Sequence, residues 1–296
     1  MIHTQHFHIR EVASYVNWLY FFHAWGFPAT FGSITRVHGC QACWQQWAQS
    51  FPPAEQPRAQ EAMRLFEDAH AMLNHLDQLG YMSHFHVALL QANSDGDDIL
   101  LPDGIVLPLL RQQKCLDGPC LCLSDFIRPA SQGIPDQLGL FVSTVDHEVE
   151  ELFPDDSYRH LLCQTLADRL AEATAERGHQ MVRREWWGYA PDEHLSIEEL
   201  FQERYVGKRP AVGYPSLPDQ SLNFILSDVL DFPSLGVSLT EHGAMMPHAT
   251  TSGLILSHPA SCHFSVGKIG HDQFLDYARR RGVSPEWLKP FLANLE

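Results

Sequence analysis

From Glu61 to Gln78, Met63, Phe66, Ala69 and Leu73 recur at three- and four-residue spacings, with His70 beside them. That period predicts an amphipathic helix, and Gly80 supplies its stop. The preceding segment Phe51–Arg58 (FPPAEQPR) reads as a loop leading into it. Phe85–Leu90 (FHVALL) is a continuous apolar run of strand length. The turn residues Asn93-Ser94-Asp95-Gly96 and a second run, Ile99–Leu101, follow it, so a hairpin is expected. Leu121–Ile127 and Leu138–Val145 predict further strands. The longest helical pattern runs from Asp156 to about Trp186. Leu162, Leu166, Leu170 and Ala173 form its apolar stripe, and Asp155, Asp156 and Ser157 offer capping oxygens. Ser196–Arg204 opens with a capping box, Ser196 and Glu199.

Beyond it the pattern changes. Arg209–Pro218 (RPAVGYPSLP) holds three prolines and must be extended. A helix over Leu222–Leu230, strand-like runs at Gly236–Thr240, Ser252–Ser257 and His263–Val266, and a helix over Asp272–Arg281 complete the chain. Helices and strands mix without regular alternation, which favours an α+β fold with a largely antiparallel sheet over a doubly wound one.

Composition narrows the function classes. Twenty basic against thirty-six acidic residues give a net charge of −16 over 296 residues. Nucleic acid and anionic membrane surfaces both require the opposite sign. With 45% hydrophobic residues the chain is no disordered segment. The most apolar stretch, Trp18–Phe27, contains His23 and falls short of the roughly 20 residues of a membrane span. The N-terminus, MIHTQHFHIREV, lacks the basic and apolar regions of a signal peptide. Seven cysteines, an odd number, read as reduced thiols in a cytoplasm.

Phosphate-loop, dinucleotide, nucleophile-elbow and H-E-x-x-H motifs do not occur. Cys40-x-x-Cys43 neither follows a predicted strand nor opens a predicted helix, and Cys120-x-Cys122 is a poor second half for a zinc site; both read as small buried hydrophobes. His6-x-His8 and His84-x-His86 each place two imidazoles on one face of an extended segment, without a carboxylate or thiol at a spacing that completes a metal site. No metal is therefore expected. Arg209–Pro215 is different. A guanidinium on a stiff, extended backbone suits a carboxylate, Gly213 permits close approach to the backbone, and Tyr214 adds an apolar face with a hydroxyl. Glu172 lies off the leucine stripe and by spacing alone is a solvated carboxylate.

Taken together, Tyr15-Val-Asn-Trp18, Gly96-Asp-Asp-Ile99, Arg111-Gln-Gln113, Leu123-Ser-Asp-Phe126, Leu166–Glu172, Trp187-Gly-Tyr-Ala190, Arg209–Pro215, Leu239-Thr-Glu241, Ser257-His-Pro259 and Asp276-Tyr-Ala-Arg279 resemble, in order, the activation domain of cobalamin-dependent methionine synthase. The resemblance implies one C-shaped α+β domain over residues 1–296, with a twisted, largely antiparallel sheet flanked by helices. It implies binding of S-adenosylmethionine, which methylates cobalamin after one-electron reduction of the inactive Co(II) state. Carried over by position, the binding residues are Asn17, Glu172, Arg209, Pro210, Ala211, Gly213, Tyr214, His263 and Phe264, with Arg209 on the ligand carboxylate; no catalytic residue is assigned. The family has aspartate at Asn17, a tyrosine pair at His263 and Phe264, and P-D-H-T-E-K at Pro218-Asp-Gln-Ser-Leu-Asn223. The corrinoid-binding D-x-H-x-x-G loop does not occur. The expectation is a stand-alone module acting in trans on a cobalamin-carrying protein, with a flavodoxin-like reductant. The alternative, favoured by Asn17, Gln220 and His263, is a non-catalytic binding protein on the same fold.

Overall fold

The computed structural model describes residues 1–115 and 118–296. Strands β1 (Ile2–His8), β2 (Met82–Asp95), β3 (Asp98–Leu100), β4 (Val106–Pro108) and β5 (Asp136–Val145) lie in one sheet; β6 (Ser238–Leu239) and β7 (Met245–Met246) pair separately, and β8 (Thr250–Ile255) returns to the main sheet. The pairings between these strands are antiparallel. Because β2 is fourteen residues long, one of its edges serves two partners: β1 on its first half, with His6 opposite His84, and β3 at its end, with Asp95 opposite Asp98. β5 lines its other edge and carries β8 beyond it.

The helices are α1 (Ile9–Val12), α2 (Trp18–Ala24), α3 (Gln41–Gln49), α4 (Gln56–Leu79), α5 (Glu148–Glu151), α6 (Ser157–Met181), α7 (Ile197–Phe201), α8 (Leu222–Leu230), α9 (His271–Arg281) and α10 (Pro285–Leu288). Helix α6 packs on the sheet face that carries Phe7, Phe85 and Phe141, and α2, α4 and, through α4, α3 extend the same core on its far side. On the opposite face α8 buries Leu222, Leu226 and Leu230 against Leu138, Leu140, Val142 and Leu254. Both faces of β5 are thus covered, which is why its sequence is continuously apolar instead of alternating. Close approach of α6 to the sheet depends on Gly178, where a Cβ would stand 2.3 Å from the Phe85 ring. Among the described residues no helix is long and apolar enough to cross a membrane.

The amphipathic helices lie close to their predicted positions. α6 is capped by the Asp156 carboxylate, which accepts from the Arg159 N–H at 3.1 Å, and it buries Leu162, Leu166, Leu170 and Ala173. It then runs into a π-helical turn, Val182–Trp186. α4 starts at Gln56, not Glu61, because Pro57 sits in its first turn, where a missing N–H breaks no bond.

Four expectations are corrected. Leu121–Ile127 is not a strand: Leu123–Phe126 coils into a 3-10 turn, since the Asp125 carboxylate folds back onto the Cys122 N–H at 2.8 Å and is gripped by both Nη atoms of Arg111 at 2.7 Å. His263–Val266 is irregular, with the Val266 N–H bonded to the Pro215 carbonyl. Helix α7 is shorter than Ser196–Arg204, and the chain turns left-handed at Glu203 (φ 53°). Finally, Cys115 and Cys120 are joined as a disulfide with Cα atoms 5.5 Å apart, so not all seven cysteines are reduced; Arg111 Nη1 draws this loop together by holding the Cys120 carbonyl at 2.7 Å.

Candidate functional site

The Arg209 segment is extended, as its prolines require, and it is zipped to the outer edge of β8. Lys208 and Leu256 exchange two backbone hydrogen bonds at 2.9 Å, the Leu254 N–H donates to the Pro210 carbonyl at 2.9 Å, and the Val212 N–H donates to Ser252 at 2.9 Å. An edge position suits Pro210, which has no N–H to offer. The contact also requires Gly253: a Cβ there would meet the Pro210 carbonyl oxygen at 2.2 Å. Gly213 (φ 88°) then turns the chain, its N–H bonded to the Leu217 carbonyl at 2.8 Å.

This ribbon forms one wall of a cleft of about 640 Å³. Asn17, Glu172, Arg209, Pro210, Ala211, Tyr214, His263 and Phe264 all line it. Gly213 does not; its role is the left-handed turn, and Gln220, the other departure noted above, packs behind it with Nε2 3.4 Å from where a Cβ would stand. Gly213 thus stands beside the cleft lining and serves its turn.

The charged groups of the cleft are under-bonded. Arg209 Nη2 lies 3.6 Å from Glu176 Oε2, each side chain 12% exposed. Arg209 Nε and Glu176 Oε1 are buried without a hydrogen-bond partner. Burial opposes the charge on Arg209, and the carboxylates of Glu176 and Glu172 outweigh it, so its pKa stays raised. Burial pushes the Glu176 carboxyl up, although Arg209 and Arg183 pull the other way. The Tyr214 hydroxyl donates to Glu172 Oε1 at 3.4 Å, and the Glu172 charge raises the phenol pKa. Across the cleft, His263 Nε2 lies 3.0 Å and Lys208 Nζ 3.1 Å from Glu203 Oε2; His263, then Lys208, pull that carboxyl down to about 2 against its burial. Asn17 is the N-cap of α2, its Oδ1 accepting from the Leu19 N–H at 3.2 Å.

Glu176, Arg169, Glu203 and Tyr205 also line the cleft and were not among the expected residues. A signal for the first two was present: Arg169, Glu172 and Glu176 fall at i, i+3 and i+7, a polar stripe beside the leucine stripe of α6. Glu203 and Tyr205 follow α7 in irregular chain and had none. Behind the cleft, Arg183 is fully buried, forked onto Glu193 at 2.8 and 2.8 Å, with its guanidinium carbon 4.0 Å from the centre of the Tyr205 ring. His179, on α6, sits 3.2 Å from the Tyr189 hydroxyl. Burial, and then Arg183, Arg209 and Lys208, hold its pKa well below the ordinary value.

The sheet register regroups the histidines. His6 and His84 meet across strands with Nδ1 atoms 2.7 Å apart, and Asp146 takes His84 Nε2 at 2.8 Å. His86 instead bonds Thr4 Oγ1 at 2.6 Å, and His8 lies opposite Met82. Cys122 is a buried small side chain, as expected, and Cys163 is buried too. Cys40-x-x-Cys43, contrary to expectation, does open a helix, α3.

The family model of the vitamin B12 dependent methionine synthase activation domain matches residues 8–282. A crystal structure of the MetH reactivation domain bound to AdoHcy is similar over 99% of this chain and 90% of that one, at 35% identity and a TM-score of 0.85.

Proposed function

The chain belongs to the vitamin B12 dependent methionine synthase activation-domain family, and from that premise we propose that the cleft at Arg209 binds S-adenosylmethionine and presents it to cobalamin held by a corrinoid-binding, methionine-synthase-like partner. The observation that carries this reading is the buried Arg209 with an unpartnered Nε at the cleft wall. A guanidinium offers parallel donors matched to a carboxylate, and a buried donor without a partner is costly to leave so. The residues present fit the ligand in charge as well. Glu172, Glu176 and Glu203 face Arg169 and Arg209 in the lining, an acidic balance suited to a ligand with an ammonium and a sulfonium besides its carboxylate. Glu172 and the Asn17 carbonyl are the candidate acceptors for the ammonium. Tyr15, Tyr20, Phe201 and Phe264 offer flat apolar surface for the adenine ring.

When bound, the ligand supplies the methyl group that returns reduced cobalamin to its active form; the electron comes from a separate reductant, for which a flavodoxin-like protein is the expected class. The chain's own part is positional. Arg209 fixes the amino-acid end, the Pro210–Ala211 backbone is immobilised on β8, and the aromatic wall excludes water from the transfer gap. Support comes also from the similar domain solved with AdoHcy.

A second reading, a diverged binding protein that no longer takes this ligand, is favoured by two observations: the Asn17 carbonyl is already engaged as a helix cap, and His263 is tied to Glu203. Calorimetric titration with S-adenosylmethionine separates the two. Micromolar binding that collapses in Arg209→Ala is expected; absence of heat at millimolar ligand would leave only the second. Methylation of cob(II)alamin on a corrinoid partner, with a one-electron reductant present, then tests the activity itself.

A further inference from the structure

Away from the cleft, His38, Cys40 and Cys43 converge, with one donor atom from each lying within 4.8 Å of the others. Local geometry creates the convergence. The Cys40 N–H bonds to the His38 carbonyl at 2.7 Å, closing a three-residue turn at Gly39 that folds His38 back over the start of α3. Cys40 is the N-cap of α3; its sulfur accepts the Cys43 N–H at 3.4 Å and lies 2.9 Å from the Cys43 sulfur. The helix beneath is anchored. Trp47 is buried and donates to Ser33 Oγ at 2.9 Å, and Trp44 packs edge-on against Phe66 with centroids 5.5 Å apart.

We propose that His38, Cys40 and Cys43 bind a single zinc ion, with the fourth tetrahedral position left to water or an outside donor. Two thiolates and one imidazole are the donor types this borderline-soft cation prefers, and the three donors are close enough to converge on one ion once the two sulfurs, now 2.9 Å apart, spread to the roughly 3.7 Å that a tetrahedral centre with Zn–S of about 2.3 Å requires. The backbone N–H aimed at the Cys40 sulfur and the helix N-terminus behind it both favour thiolate over thiol at Cys40. Cys40 and Cys43 are half-exposed and His38 is exposed, so an ion enters directly from solvent. The imidazole at the third corner distinguishes this group from a dithiol that merely closes to a disulfide. Bound zinc would pin the turn that follows the 3-10 segment Ala29–Arg36. Thr30, Ser33 and Arg36 of that segment line a second groove, of about 800 Å³, which shares Asn17, Tyr20 and Phe201 with the first cleft. The ion would therefore stiffen a wall adjoining the ligand site.

The test uses untagged protein, reduced, stripped with a chelator and titrated first with Co²⁺ and then with Zn²⁺. One equivalent of cobalt is expected, with a thiolate-to-metal charge-transfer band that zinc abolishes. Cys40→Ser and Cys43→Ser should each lose most of that band, and His38→Ala should keep it but bind zinc at least about tenfold more weakly. Thermal melts of the metal-free variants check that they fold. A reduced wild-type protein that shows no such band, or a band that survives both serine variants, overturns the site; in the latter case the thiolate comes from another cysteine, with the exposed Cys262 the first to replace.

Discussion

Arg209 and Glu176 face each other across 3.6 Å at the cleft wall, and each keeps one buried polar atom, Nε and Oε1, without a partner. A buried pair this incompletely bonded gains little over its desolvation. In the proposed complex a ligand carboxylate would accept from Arg209 Nε, and a donor such as the ligand ammonium would satisfy Glu176 Oε1.

Arg209→Lys keeps the charge but loses the fork. Losing charge-assisted bonds of about 1.5–3 kcal/mol should weaken S-adenosylmethionine binding roughly tenfold to a hundredfold. Calorimetry on this variant, alongside a thermal melt showing it folded, checks the result; wild-type affinity would remove Arg209 from the ligand site.

Asn17→Asp should strengthen binding. Aspartate caps a helix as well as asparagine does, so α2 keeps its bond to the Leu19 N–H. The added negative charge gives the ligand ammonium an ionic partner, for a gain of about tenfold. The same titration reads the gain, and an unchanged melting temperature separates it from a folding effect.

Gly253→Ala should damage fold and site together. Its methyl would lie 2.2 Å from the Pro210 carbonyl oxygen and 2.9 Å from the Phe141 ring. Overpacking of this kind destabilises by about 1–3 kcal/mol, measurable by urea unfolding. Because relief requires the Arg209 ribbon to lift from β8, ligand affinity should fall as well.

His179 makes stability depend on pH. Its folded pKa is well below 6.5, owing first to burial, so the unfolded chain binds its proton first as pH falls. Stability is therefore retained above about 6.5 and lost below it, at a slope of up to about 1.4 kcal/mol per pH unit from this residue. His70 and His86, lowered mainly by burial, add to the slope. His179→Gln should flatten urea-derived stability between pH 6.5 and 5 by about one proton's worth; an unaltered slope would contradict the assignment.

Amphipathic helices were legible because period and burial coincide: the Leu162–Ala173 stripe and Leu222–Leu230 each face a single core. Helix α2 was not, since WLYFFHA is apolar nearly all round and has no periodic face to read. Strand β1 alternates weakly, with histidine where a polar residue would mark the exposed face, and only its pairing with β2 reveals it. Leu121–Ile127 has strand composition but is overruled by the grip of Arg111 on Asp125, a long-range ion pair that local pattern cannot register. Of the site, the Arg209 ribbon could be read from its prolines, and eight of the nine expected residues do line one cleft. Gly213 is the one outside the lining, since glycine serves a turn and a ligand approach with the same residue type. Glu203 and Tyr205 enter through the turn after α7, where no periodicity exists.

β8 is the terminal strand at one end of the main sheet, and the residues that cover its flank are those that present Arg209. The segment proposed to hold the ligand thus also serves as a guard for that edge. Any lesion that peels 208–212 away bares unsatisfied amides and carbonyls to neighbouring molecules. Loss of recognition and a tendency to self-associate should therefore arise together.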